Sequence, residues 1–70
     1  MPSETDANQW VSKGYKLMES QEYEMALDCY KHAIEIDPRN EKAWLSSAYA
    51  LMFMMRDSEA MECLDHLLEL

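Results

Sequence analysis

Glycine, proline and cysteine are scarce in this chain. One glycine and two prolines occur among 70 residues, of which 49% are apolar, and this composition is typical of one small helical domain and not of a disordered segment. Two cysteines are too few for a disulfide framework. We therefore expect a reduced, cytoplasmic environment.

Positive charge is also scarce, with six Lys and Arg residues against 14 Asp and Glu, for a net charge of −8. The basic residues are scattered, which disfavours nucleic acid and anionic lipid as partners. The longest apolar run, residues 48–55, is too short to span a bilayer. Residues 1–10 have neither the basic start nor the apolar segment of a secretory leader. We expect no nucleic-acid and no membrane partner.

Features that carry catalysis are missing as well. The sequence shows no grouping of serine, histidine and acid, and it has no glycine-rich phosphate loop. Its carboxylates are spread along segments with helical periodicity, as on solvated helix faces. We predict that the protein is not an enzyme and uses no cofactor.

The chain contains an internal duplication. Trp10 and Trp44 are separated by 34 positions. The same shift aligns eight further identical pairs: Ser12 and Ser46, Tyr15 and Tyr49, Leu17 and Leu51, Met18 and Met52, Ala26 and Ala60, Cys29 and Cys63, His32 and His66, Glu35 and Glu69. Chance does not align so many residue types, several of them rare.

Each copy predicts two helices joined by a turn, because apolar residues recur at helical spacing in two segments per copy. We assign residues 1–6 to a flexible N-terminus and residues 7–70 to one domain, with repeat one at 7–40 and repeat two at 41–70. Pro38 disfavours an α conformation at Asp37 and ends the second helix there. We expect Asp6 to cap the first helix, and Asp57 or Ser58 to cap the fourth.

The pattern resembles the tetratricopeptide repeat family, whose period is 34 residues. The residues that carry the resemblance are Trp10, Gly14, Leu17, Tyr23, Ala26, Tyr30, Ala33 and Pro38. Lys13 departs from the family's large apolar residue. Residues 41–70 match less well, since Ser47 departs at the equivalent site, Ala48 replaces a glycine and Leu64 an aromatic. The resemblance implies an all-α fold of two stacked helix-turn-helix repeats, four antiparallel helices in a short right-handed superhelix.

The resemblance also implies a non-catalytic module that binds an apolar peptide or helix of a partner protein in a concave groove. The predicted groove residues are Val11, Tyr15, Met18, Lys42, Leu45, Tyr49, Met52 and Phe53. The alternative is that some of them pack against neighbouring helices. One subtype of the family grips a C-terminal carboxylate of chaperones with lysine and asparagine. Val11, Tyr15 and Ser46 hold those places here, so we do not expect a chaperone tail as ligand.

The last predicted helix has an apolar face with no following helix in the sequence to cover it. The predicted self-association residues are Met61, Leu64, Leu67, Leu68 and Leu70. A second copy of the chain, a partner protein or further repeats of a longer array would each cover this face. The alternative function is therefore a homodimeric, self-associating structural module.

The segments "CYKH" and "CLDH", at residues 29–32 and 63–66, each place a cysteine and a histidine on one helix face. These are side chains that zinc prefers. Within one chain the two pairs should lie about 10 Å or more apart, too far to share an ion. We predict no metal site within the chain and leave open a site between two chains.

Overall fold

The computed structural model describes the backbone of residues 4–70 and the side chains of residues 6–70. Within this part, four helices follow one another: α1 (Glu4–Glu19), α2 (Tyr23–Ile36), α3 (Glu41–Phe53) and α4 (Asp57–Glu69). Residues 4–70 contain no strand. Of the segment predicted to be flexible, residues 4–6 belong to α1, and residues 1–3 lie outside the described part.

The helices pack in the order of the sequence. The main contacts join α1 to α2, α3 to α4 and α2 to α3, and a smaller contact joins α1 to α3. Two helical hairpins therefore stack through α3, and the predicted all-α, helix-turn-helix architecture is confirmed.

The turn between the helices is the same in both hairpins. Gln21 and Met55, 34 positions apart, both have a φ of 63°. The next residue in each turn donates its N–H to a carbonyl five positions earlier: Glu22 to Leu17 at 2.9 Å, and Arg56 to Leu51 at 2.8 Å. This is the Schellman arrangement, which satisfies the last carbonyl groups of a helix.

Replacing Met55 with glycine should raise the free energy of unfolding by about 1 kcal/mol, because a left-handed backbone is costly for any residue with a Cβ. Met55 is 84% exposed, so the change removes little packing. Chemical denaturation measures the gain. The control is Met55→Ala, which retains the Cβ and should show none of this gain; equal gains from both variants would contradict the explanation.

The break between the repeats is held by hydrogen bonds. Asp37 is extended, as predicted before Pro38. Asn40 caps α3, its side-chain oxygen accepting from the Ala43 N–H at 3.1 Å. The Trp44 indole Nε1 donates to the Pro38 carbonyl at 2.7 Å. The hydrogen bond from Trp44 therefore joins the first turn of α3 to the segment that follows α2.

Two of the predicted caps are wrong. Asp6 lies inside α1, which begins at Glu4, and so it cannot cap that helix. Asp57 is the first residue of α4, whose N-cap is Arg56 and lacks a side-chain capping bond. The repeated turn explains the error at Asp57. The N–H of Arg56, the residue after Met55, makes the Schellman bond, and this bond fixes Arg56 at the cap position.

The core is built from small residues. Seven buried alanines, at positions 7, 26, 33, 43, 48, 50 and 60, let the helix backbones approach closely. A close approach occurs at Gly14 of α1, where a Cβ would lie 2.8 Å from Cζ of the Tyr30 ring. Tyr30 is the largest fully buried side chain. At the equivalent positions of the second hairpin, Ala48 and Leu64 stand in place of Gly14 and Tyr30.

Candidate functional site

The candidate site is the surface formed by α1 and α3, the first helices of the two hairpins. Leu45, Tyr49 and Met52 follow i, i+4, i+7 spacing on α3, and all three are exposed. Tyr15 of α1 is exposed beside them. We call these four residues the groove surface. Lys42 is also exposed, one turn before Leu45 and Ser46.

Tyr15 is held in place by two contacts. Its phenol oxygen accepts a hydrogen bond from Oγ of the buried Ser46 at 3.2 Å. Its ring meets the Tyr30 ring edge to face, with centroids 6.1 Å apart. The first contact ties α1 to α3, and both restrict the ring that the groove surface presents.

Two predicted groove residues lie inside the protein. Val11 is 2% exposed and belongs to the core, so it offers no surface to a peptide. Met18 is half-buried and packs against the same core. The reason is that α1 has α3 beside it, whereas no described helix follows on the corresponding side of α3. Leu45, the counterpart of Val11, is consequently exposed.

Phe53 has a partner that sequence periodicity did not reveal. Its ring stacks on Tyr23 of α2, with centroids 5.1 Å apart and planes 6° from parallel. The counterpart of Tyr23 in the second repeat is Asp57, so the duplication carries no signal for this pair. The stack adds an apolar surface at the end of α3, one turn beyond Tyr49.

The other end of the two helices is polar. The Asn40 amide nitrogen donates to the Asn8 side-chain oxygen at 3.1 Å. The surface along α1 and α3 therefore changes from amide and lysine at one end to tyrosine, methionine and phenylalanine at the other.

The apolar face of α4 is only partly free. Met61, Leu68 and Leu70 are exposed, with Leu68 at 86%. Leu64 and Leu67 are half-buried, and Leu64 packs against the core. Leu64 therefore contributes within the hairpin, and the surface that a second chain could cover is smaller than predicted.

The duplicated histidines stack on the duplicated tryptophans. The Trp10 and His32 rings lie 4.6 Å apart, and the Trp44 and His66 rings are also 4.6 Å apart. Both tryptophans therefore have the same stacking partner, although Trp44 also donates to the Pro38 carbonyl and the Trp10 ring has the Lys13 ammonium over it. The sequence contains a signal for this stack, since each histidine follows its tryptophan by 22 positions, but spacing alone does not distinguish a stacking histidine from one member of a Cys and His pair.

The cysteines are not activated. Burial raises the pKa of both the Cys29 and the Cys63 thiols, which keeps them protonated at neutral pH. Among the described side chains, no group of three or more His, Cys, Asp and Glu could hold a metal ion. Within residues 4–70, no helix combines the length and apolarity needed to cross a membrane.

Comparison with known proteins identifies the first hairpin. The sequence model of the tetratricopeptide repeat family matches residues 7–40, the range predicted for repeat one. No curated protein and no solved structure matches the chain significantly. The second hairpin lies outside the match, but it repeats the turn hydrogen bonds and the tryptophan–histidine stack of the first.

Proposed function

Because residues 7–40 of this chain are a tetratricopeptide repeat, we propose that the chain binds an apolar segment of a partner protein on the groove surface. Such repeats are generally protein–protein interaction modules. The observation that carries the proposal is an exposed aromatic and methionine surface whose Tyr15 is fixed from within the core. Rigid aromatic rings supply contact area at low entropic cost, and methionine adapts to varied partners.

Charge indicates what flanks the bound segment. The exposed Glu19 and Glu22 lie at the turn end of the groove surface, on a chain of net charge −8. Basic residues beside the apolar anchors of a partner would be attracted there. We therefore propose a ligand with apolar anchors and lysine or arginine flanks, and no catalytic step. A cytoplasmic location is part of the same proposal.

Replacing Tyr49 with alanine should weaken binding at least tenfold, because a half-exposed ring at the centre of a small interface is the residue type that carries most binding energy. Peptides selected on the parent from a random phage-displayed library, and measured by fluorescence anisotropy, give the affinities. Met61→Ala, on α4, is the matched control and should bind as the parent does. Selection of acidic peptides, or equal losses in both variants, would contradict the proposal.

A second function, self-association through α4, is favoured by one comparison within the chain. Leu27 of α2 is 4% exposed, whereas its counterpart Met61 is 62% exposed. Ile34 packs against the core, whereas its counterpart Leu68 is 86% exposed. The same positions are covered in the first hairpin, which α3 follows, and uncovered in the second.

If α4 forms a two-fold dimer, Leu68→Asp should dissociate it, because a buried carboxylate without a partner is costly. Tyr49→Ala should leave the dimer intact. Sedimentation at high micromolar concentration distinguishes the two states, and a parent chain that remains monomeric there, while melting cooperatively, rules the dimer out. That result would not affect the groove proposal, which is measured on peptides.

A further inference from the structure

A cavity of about 380 Å³ lies between α2, α3 and α4. Its apolar wall is formed by Leu27, Ile34, Trp44 and Leu51, and its volume lies in the range of small-molecule sites. At about 100° per residue, the α3 residues that line it face away from Leu45, Tyr49 and Met52. The cavity is therefore separate from the groove surface.

Ser47, a small residue, is part of the cavity wall. Ser47 is buried, and its hydroxyl donates to the Ala43 carbonyl at 2.7 Å. The hydroxyl is thus satisfied within the helix and does not make the cavity wall polar. A larger apolar side chain at this position would project into the space.

The mouth of the cavity carries an excess of negative charge. Arg56 is already paired, donating to Glu59 and, at 3.1 Å, to Glu24. Of the other lining residues, Lys31 is a cation, Glu35 and Glu62 are carboxylates, and the His66 ring is stacked on Trp44. The thiol of Cys63 also lines the cavity. Burial is the main cause that raises the pKa of this thiol, Glu62 and Glu59 raise it further, and Lys31 lowers it.

We propose that this cavity binds a small apolar cation, an aromatic ring that carries an ammonium group. The ring would occupy the apolar wall beside Leu27 and Leu51, and the ammonium would lie at the mouth near Glu35 and Glu62. An anion of the same shape would meet two carboxylates there, so the site discriminates by charge. The site does not depend on the proposed peptide groove.

Three probes with a common ring test the charge preference: 2-phenylethylamine, 2-phenylethanol and phenylacetate. Titration of the intact ¹⁵N-labelled chain should shift the Trp44 indole and Cys63 amide signals. We expect 2-phenylethylamine to bind with a Kd on the order of 1 mM, at least fivefold tighter than phenylacetate. Equal binding of amine and carboxylate, or no saturable shift tenfold above that concentration, would overturn the proposal.

Two sets of variants locate the site. Ser47→Leu should weaken 2-phenylethylamine binding at least tenfold by filling the cavity, whereas Ser12→Leu, an exposed position on α1, should leave it unchanged. Changing both Glu35 and Glu62 to glutamine should lower the affinity for the amine to that for the alcohol. This second set alters exposed positions only and decides the question even if Ser47→Leu fails to fold. Parent affinity for the amine in Ser47→Leu, or in the variant with both Glu35 and Glu62 changed to glutamine, would place its binding elsewhere and refute the assignment.

Discussion

Replacing Gly14 with alanine is expected to lower the free energy of unfolding by about 2 kcal/mol. The new Cβ would lie within 3 Å of three carbons of the fully buried Tyr30 ring: Cε1, Cζ at 2.8 Å and Cδ1 at 2.9 Å. Overpacking of this kind costs roughly 1 to 3 kcal/mol, and it opposes a gain of up to about 1 kcal/mol from the better helix propensity of alanine. We expect the overlap to outweigh this gain because α1 and α2 pack closely against each other and the Tyr30 ring is fully buried. Urea denaturation followed by circular dichroism measures the change.

The second hairpin supplies the matched rescue for this variant. Ala48 and Leu64 occupy the positions of Gly14 and Tyr30, so this fold accommodates an alanine when the facing residue is smaller. The double change Gly14→Ala with Tyr30→Leu should therefore be more stable than the sum of the single losses, by more than about 1 kcal/mol. Strict additivity would show that the close approach of Gly14 and Tyr30 is not the source of the loss.

Replacing Tyr30 with phenylalanine is expected to raise the free energy of unfolding by about 1 kcal/mol at neutral pH. The phenol oxygen of Tyr30 is buried and has no hydrogen-bond partner among the side chains and backbone that the structure describes, and an unsatisfied buried polar group costs roughly 1 to 3 kcal/mol. The nearby Ser46 hydroxyl donates to Tyr15 instead. Phenylalanine fills the same space against Gly14. Thermal and chemical denaturation should agree on the gain, and a loss of stability would indicate that the hydroxyl is satisfied.

The same variant should remove an alkaline instability. Burial, and secondly Tyr15, raise the pKa of Tyr30 from 10.0 to about 12; the nearby Ser46 hydroxyl, whose hydrogen bond goes to Tyr15, opposes the rise only in part. The folded state therefore holds this proton more tightly than the unfolded state. The contribution of the Tyr30 proton to the free energy of unfolding is fully present below pH 10. It is lost as the pH rises through about 12, and the loss is on the order of 2 kcal/mol.

Comparison across pH isolates this contribution from those of other titrating groups. The difference in unfolding free energy between Tyr30→Phe and the parent should widen between pH 9 and 12. Tyr49→Phe, at a half-exposed ring, should show no such widening. A constant difference across this range would mean that Tyr30 ionises as freely when folded as when unfolded.

Within the candidate site, sequence periodicity predicted positions on a helix correctly but not their exposure. Tyr15 and Tyr49 are both exposed, as equivalent positions suggest. Val11 and Leu45 also occupy equivalent positions in the two repeats, yet Val11 lies in the core and Leu45 lies at the surface. Exposure depends on whether a further helix lies alongside. The repeat pattern in the sequence is the same whether or not such a helix is present.

The period of 34 residues, the proline break and the small residues at helical spacing determined two stacked helical hairpins, because these features act through local geometry and close backbone approach. Tertiary structure alone decided the Tyr23 and Phe53 stack, the cavity beside Ser47 and the orphaned Tyr30 hydroxyl. Each of these depends on side chains from different helices meeting at a particular distance. A linear pattern specifies which face a residue occupies, and only the packed helices specify what it meets there.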